Sequence, residues 1–121
     1  MTDYKNIGTK GETLALNYLK EKGYLVLETN WRTQHLEIDI IAKHNRFIVF
    51  VEVKTRSGNV LLKPEDAVDK NKQKLLIRAA NSYILSKNIS EEARFDVISI
   101  IINNEKPHIQ HIEDAFYPVL R

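Results

Sequence analysis

The 121-residue chain has no cysteine. That excludes disulfides, thiolate zinc sites, iron–sulfur clusters and cysteine nucleophiles, and it fits a reducing compartment. Long apolar runs are missing too: the longest unbroken one is Phe47 to Val51, whereas a membrane span needs roughly 18 residues. Met1 to Gly11 are polar and hold no apolar signal-peptide core. A cytoplasmic protein with no membrane partner is therefore expected. Glycine and proline are scarce, with four and three copies. There is no glycine-rich phosphate loop and no Ser/His nucleophile arrangement. Pro64, Pro107 and Pro118 fall where turns or chain ends are expected. Internal repeats and low-complexity tracts are absent.

What is present is the composition of an ordinary globular protein, 43% hydrophobic and 28% charged. The length corresponds to one domain, residues 1–121. The net charge of +2 is unevenly spread. Between Lys54 and Lys87 stand eight basic residues against three acidic ones, a net of +5, which leaves −3 for the remainder. Such a segment is what a surface facing a nucleic-acid backbone requires; a solvated helix face is the alternative.

Hydrophobic spacing predicts a helix over residues 8–22, with Ala15, Leu16 and Leu19 in phase and Gly23 as its stop. Strands are predicted for Tyr24–Trp31, Leu36–Ala42 and Phe47–Lys54, the last two joined by the turn Lys43–Arg46. After a loop with Gly58 and Pro64, a helix over 66–87 carries the stripe Leu75, Leu76, Ala79, Ala80, Tyr83 and Ile84. Phe95–Ile102 reads as an internal strand and Ile109–Glu113 as a short last one. The order α-β-β-β-α-β-β describes an α/β fold in which helices flank a central mixed sheet.

Several charges sit where apolar residues are expected. On Phe47–Lys54, Phe47, Val49, Val51 and Val53 share one face, while Glu52 and Lys54 follow Ile48 and Phe50 on the other. On the preceding strand Glu37, Asp39 and Ile41 share a face, and Leu36, Ile38 and Ile40 the opposite one. A hairpin pairs odd positions with even ones, which brings Asp39 to the face of Glu52, directly opposite or one diagonal away. Glu12 lies on the apolar stripe of the first helix, and Lys72 precedes Leu75 and Leu76 by three and four residues. Inward charges are costly unless paired or coordinated, so clustered acids with interleaved lysines suggest a site for a hard metal. The alternative is a plain ion pair of Glu52 with Lys54 or Lys72.

Asp39, twelve residues, then Glu52-Val53-Lys54 is the bipartite pattern of the restriction-endonuclease-like, or PD-(D/E)xK, superfamily. The proline of that name has no counterpart before Asp39. Over nearly the whole chain, GTKGETLALNYL from Gly8 to Leu19, Asn30-Trp31-Arg32, EIDIIA from Glu37 to Ala42, FVEVKTR from Phe50 to Arg56, Ala67-Val68 with Lys72, and RFDVI from Arg94 to Ile98 resemble the YraN-like family of uncharacterised bacterial proteins. Leu36 departs from it, standing where many relatives have glycine. The resemblance implies a restriction-endonuclease-like fold akin to archaeal Holliday-junction resolvases and a metal-dependent nuclease core acting on DNA, branched or structured DNA included. A binding protein that keeps the fold without catalysis is the alternative.

Phosphodiester hydrolysis needs a metal at the phosphoryl oxygen and an activated water. Asp39 and Glu52 are expected to supply oxygens to Mg²⁺, or to Mn²⁺ in its place, with the Val53 carbonyl as a further ligand. Lys54 would position water and stabilise charge, Glu12 would support a second metal or hold Lys54, and Lys72 would meet the phosphate or an acidic partner. Arg32 and Arg56 are candidates for backbone phosphates, and Lys74 and Arg78 for the outer helix face. Asp96 is read either as a brace for the site or as a partner of Arg94; Trp31 and Tyr24 are read as packing residues, with the stacking of a splayed base as the alternative. His108 and His111, three apart on a strand, face opposite sides. A monomer or weak homodimer is expected, with two copies engaged on branched DNA.

Overall fold

The strands carry more apolar residues than one sheet face could hide, and the chain buries both faces of a single sheet. The computed structural model describes residues 4–34, 36–58, 61–63, 66–103 and 106–118, with side chains from Lys10 onward. The elements are α1 (Tyr4–Glu21), β1 (Leu25–Arg32), β2 (Glu37–His44), β3 (Phe47–Ser57), α2 (Lys70–Lys87), β4 (Glu92–Ile102) and β5 (His108–Phe116). The sheet runs β1-β2-β3-β4-β5. Neighbours are antiparallel except β3 and β4, which are parallel and joined through α2. No helix among the described residues is long and apolar enough to cross a membrane.

The expected α-β-β-β-α-β-β order is what forms, with displaced boundaries. The first helix begins earlier than residue 8, and Gly23, at φ 88°, follows its end. The second helix begins at Lys70 instead of 66, because the Asp69 carboxylate accepts the Lys72 N–H at 2.8 Å and caps it there. Lys43 and His44 belong to β2, so the hairpin turn is Asn45-Arg46 alone, with Asn45 at φ 54°. The last strand runs three residues past Glu113, to Phe116. Pro107 precedes β5 and Pro118 follows it; Pro64 lies outside the described residues.

One core lies under α1, where Ala15 and Leu19 meet Ile40, Val49, Val51 and Ile98. The other lies under α2, where Leu76, Ala79, Ala80 and Tyr83 meet Ile38, Ile48, Phe50 and Phe95. Trp31 meets Tyr83 edge-on at 5.1 Å and is a packing residue, as expected. Leu75 departs from the expected stripe and stays 37% exposed, since α2 turns its Leu76–Tyr83 line to the sheet and carries Leu75 to the flank.

The Asp96 question resolves as an ion cluster in the α1-side layer. The Arg94 guanidinium donates to both oxygens of Asp96, at 2.9 and 2.8 Å, and also to the Tyr24 hydroxyl. His111 Nε2 lies 2.7 Å from Asp96, and the Asp114 N–H donates to the same carboxylate at 3.1 Å. Tyr24 itself is buried and stacks on His44. Burial alone would raise the Asp96 pKa, but the hydrogen bonds from His111, Arg94 and Asp114 outweigh it and hold the carboxyl below its ordinary value. Because the folded-state pKa is depressed, the stabilisation is full above the unfolded value of about 3.9 and disappears as the pH falls through the folded one. Asp96→Ala, which leaves a buried guanidinium unpaired, is expected to cost roughly 3–5 kcal/mol at neutral pH. Urea unfolding at pH 7 and pH 3 checks this: the deficit should be large at the first and smaller at the second.

Candidate metal and nucleic-acid site

β3 is paired on both sides, and its pleat obeys the alternation read from the sequence. Val49 and Val51 enter the α1-side core, and Ile48 and Phe50 the α2-side core. Glu52 continues the second row and is 6% exposed. β2 follows β3 in register from His44 opposite Phe47 to Ile40 opposite Val51. One further step would set Asp39 against Glu52, and there the ladder stops.

The reason is a break in β2. Ile38 packs in the α2-side core and Ile40 in the α1-side core, although residues two apart on a regular strand share a face. This corrects the expectation that Leu36, Ile38 and Ile40 line one face and Glu37, Asp39 and Ile41 the other. Across β1, the residue between the partners of Ile40 and Ile38 is Asn30, at φ 51°, a left-handed conformation that asparagine tolerates better than most residues. With the strands parted, the Val53 N–H loses its backbone partner on β2 and donates instead to Asp39 Oδ2 at 2.7 Å. The N–H and C=O of one strand residue point to the same edge, so the Val53 carbonyl faces the same gap.

The expected inward charges gather around this gap to different degrees. Lys72, in the first turn of α2, places Nζ 2.6 Å from Glu52 Oε2. That buried oxygen has a cation beside it but no donor in hydrogen-bond direction. Of the two ion pairs foreseen for Glu52, the one with Lys72 forms. Glu12 approaches from α1 and is tied at 3.4 Å to the amide of Asn30. The helix comes this close because residue 11 is glycine: a Cβ there would fall 2.0 Å from Thr55 Oγ1. Lys54 is half-buried two residues beyond Glu52, and the unbroken register with β4 keeps it on the same face. Among the described residues no three acidic or histidine side chains converge as one metal-binding group. Asp39 and Glu52 form a pair, with Glu12 further out.

The basic candidates are spread more widely. Lys74 and Arg78 are exposed on the outer side of α2, and Arg56 is half-buried on β3. Arg32 is exposed at the end of β1 and pairs at 3.6 Å with Glu37, which therefore serves the arginine. Sequence reasoning included Asn30 and Gly11 only within the blocks that carry the resemblance and gave neither a role. That of Asn30 could have been suspected from an asparagine inside an otherwise extended run; that of Gly11 shows only once the helix is docked.

Burial pushes the Asp39 pKa up, the Val53 N–H pulls it back, and the charge of Glu52, a hydrogen bond with it and the charge of Glu12 raise it again, to about 7. A carboxyl raised in the folded state costs stability as it ionises. The cost is absent below the unfolded pKa of about 3.9, grows as the pH rises and is complete above the folded value. Asp39→Asn keeps an acceptor for Val53 without the charge. It is expected to stabilise the metal-free protein by roughly 2 kcal/mol or more at pH 8 and by almost nothing at pH 4. Denaturant titrations of both proteins in chelator, across that range, check the trend.

Residues 11–100 match the uncharacterised protein family UPF0102. A UPF0102 protein of Bacteroides thetaiotaomicron is 44% identical over 99% of both chains. One from Parabacteroides distasonis is 45% identical over the full length of both. One from Alkaliphilus oremlandii is 49% identical over 93% of this chain and 98% of its own. With its acids, lysine and flanking strands all inside the matched stretch, the chain belongs to the UPF0102 family.

Proposed function

We propose that this protein is a metal-dependent endonuclease acting on DNA, branched or structured DNA included. The observation that carries the reading is the gap between β2 and β3, where Asp39, Glu52 and the Val53 backbone meet and Lys54 stands next along the strand. The resemblance of this pattern to restriction-endonuclease-like enzymes supports it. The donors fit a hard cation: they are oxygens, they carry excess negative charge, and Glu52 Oε2 lacks a directed donor. Mg²⁺, or Mn²⁺ in its place, would be held by Asp39, Glu52 and the Val53 carbonyl, and would polarise a phosphoryl oxygen and acidify a water. Glu12 would serve an outer position.

The chain's own residues do the rest. Val53 N–H fixes one Asp39 oxygen, which leaves the other for a ligand. Lys54 orients the attacking water and balances charge at the phosphorus. Lys72, whose side chain is 41% exposed while it touches Glu52, holds that carboxylate in place and can offer its remaining N–H groups to a phosphate. Lys74, Arg78 and Arg56 extend the cationic surface, and Arg32 reaches phosphate only by giving up Glu37. Two copies on a branched substrate would supply paired cuts.

The Lys72–Glu52 pair favours a second reading, because it gives the acid a partner from within the chain. In that case the protein binds nucleic acid without cleaving it.

Calorimetry with Mn²⁺ and cleavage assays on duplex, single-stranded and four-way-junction DNA separate the two. The nuclease reading expects Mn²⁺ binding that Asp39→Asn abolishes, together with cleavage. It also expects Lys54→Ala to lower the cleavage rate at least about a hundredfold with little change in DNA affinity, since its role is in the transition state. Equal Mn²⁺ binding by wild type and Asp39→Asn would remove the metal site. DNA affinity should also fall with salt, with a log–log slope of roughly −3 to −4.5 if about three to five phosphates are neutralised. Reversing Lys74 and Arg78 to glutamate should flatten that slope, as measured by anisotropy titrations between low and physiological salt.

A further inference from the structure

Further along α2 from Lys72, residues of the β1–β2 connection and the flank of α2 line an open cavity of about 240 Å³. Its apolar walls are Leu36, Leu75 and Ala79, and its polar rim is Thr33, Gln34, Ser82 and Arg78. The connection is held closed by the Thr33 N–H and hydroxyl, which both donate to the Leu36 carbonyl, at 2.8 and 3.2 Å. Leu75, which the core does not use, keeps its exposed side here. On α2 the residues Lys72, Leu75, Ala79 and Ser82 follow one another at helical spacing, so the cavity continues the ridge on which Lys72 reaches Glu52. From Lys72 to Ala79 the rise is about 10 Å. Leu36 leads directly into β2 and Asp39.

We propose that this cavity receives one unpaired nucleobase of a DNA strand whose neighbouring phosphate lies at the Asp39–Glu52 gap. The inference rests on the nuclease reading and names its substrate class: strands with a flipped or unpaired nucleotide, as at a bulge, flap or branch point. A duplex is far too wide to enter, and a bare phosphate would leave the leucine walls unused. A base has apolar faces for Leu36 and Leu75, a polar edge for the amide of Gln34 and the Ser82 hydroxyl, and an attached anion for Arg78. The cations along α2, Lys70, Lys72, Lys74 and Arg78, complement the strand that would carry it.

The test compares a duplex carrying one unpaired 2-aminopurine with the same duplex fully paired, bound in Ca²⁺ and followed by anisotropy and by 2-aminopurine fluorescence. The bulged duplex should bind roughly tenfold more tightly, as expected for one base that buries its apolar faces against the leucine walls. Ser82→Phe fills the cavity from its exposed rim. It should abolish the preference and the fluorescence change while leaving affinity for the paired duplex within about twofold, and Leu75→Ala should weaken the preference in part. Equal affinity of the wild type for both duplexes, or a preference that survives Ser82→Phe, overturns the cavity's role even if Mg²⁺-dependent cleavage stands. A preference with no cleavage in Mg²⁺ or Mn²⁺ overturns the nuclease reading and keeps the base pocket. Absence of binding to either duplex overturns both.

Discussion

The candidate site depends on one missing piece of sheet. Where β2 should continue its ladder against β3, a side-chain carboxylate takes the place of the backbone acceptor, and Asp39 binds the Val53 N–H. That exchange ties an acid to the backbone of the strand that carries Glu52 and Lys54. It also frees a backbone carbonyl from the ladder at the same spot. A regular hairpin would have placed Asp39 and Glu52 opposite each other, with every backbone group satisfied and no opening between the strands. Asn30 on β1 takes up the local twist that the break requires.

Two helices close on this opening from different faces, and they bring opposite charges. α1 contributes Glu12 and approaches β3 closely through Gly11, whereas α2 contributes Lys72 from its first turn. Without a cation, burial and the charges of Glu52 and Glu12 raise the proton affinity of Asp39, and Lys72 leans on Glu52. The metal-free arrangement is thus balanced by a proton and an ammonium, both replaceable. The buried Arg94–Asp96 cluster is different in kind, since the guanidinium donates to fixed acceptors and the carboxylate accepts from fixed donors. It holds strands together and leaves no ligand position open.

The element order and the face assignment of β3 were legible because β3 lies inside the sheet, where alternation is enforced by a core on each side. Lys72 was legible from its spacing to Leu76. The face assignment of β2 was not, because the polar Glu37 and Asp39 stand at or before the slip, and Ile40, Ile41 and Ala42 beyond it are all apolar and mark no face. A slip in the pleat at Asp39 leaves no trace in such a run. Nor could spacing decide between a brace and an ion pair for Asp96, since the partner His111 comes from another strand. Leu75 was assigned to the core by helical phase alone, and phase does not report that α2 turns its Leu76–Tyr83 line to the sheet and leaves Leu75 on the flank.

A sheet of five strands in simple order has two free edges, and here both edge strands are irregular. β1 carries an extra residue at Leu27, and on β5 three residues, Glu113 to Ala115, stand against Asp96 alone. The Asp96 carboxylate takes the Asp114 N–H that this bulge turns out of the ladder. Bulges bend a strand and increase its twist, so neither border offers the long flat row of donors and acceptors on which another chain's strand could grow. The residues that complete the buried ion cluster thereby also guard the protein against edge-to-edge aggregation.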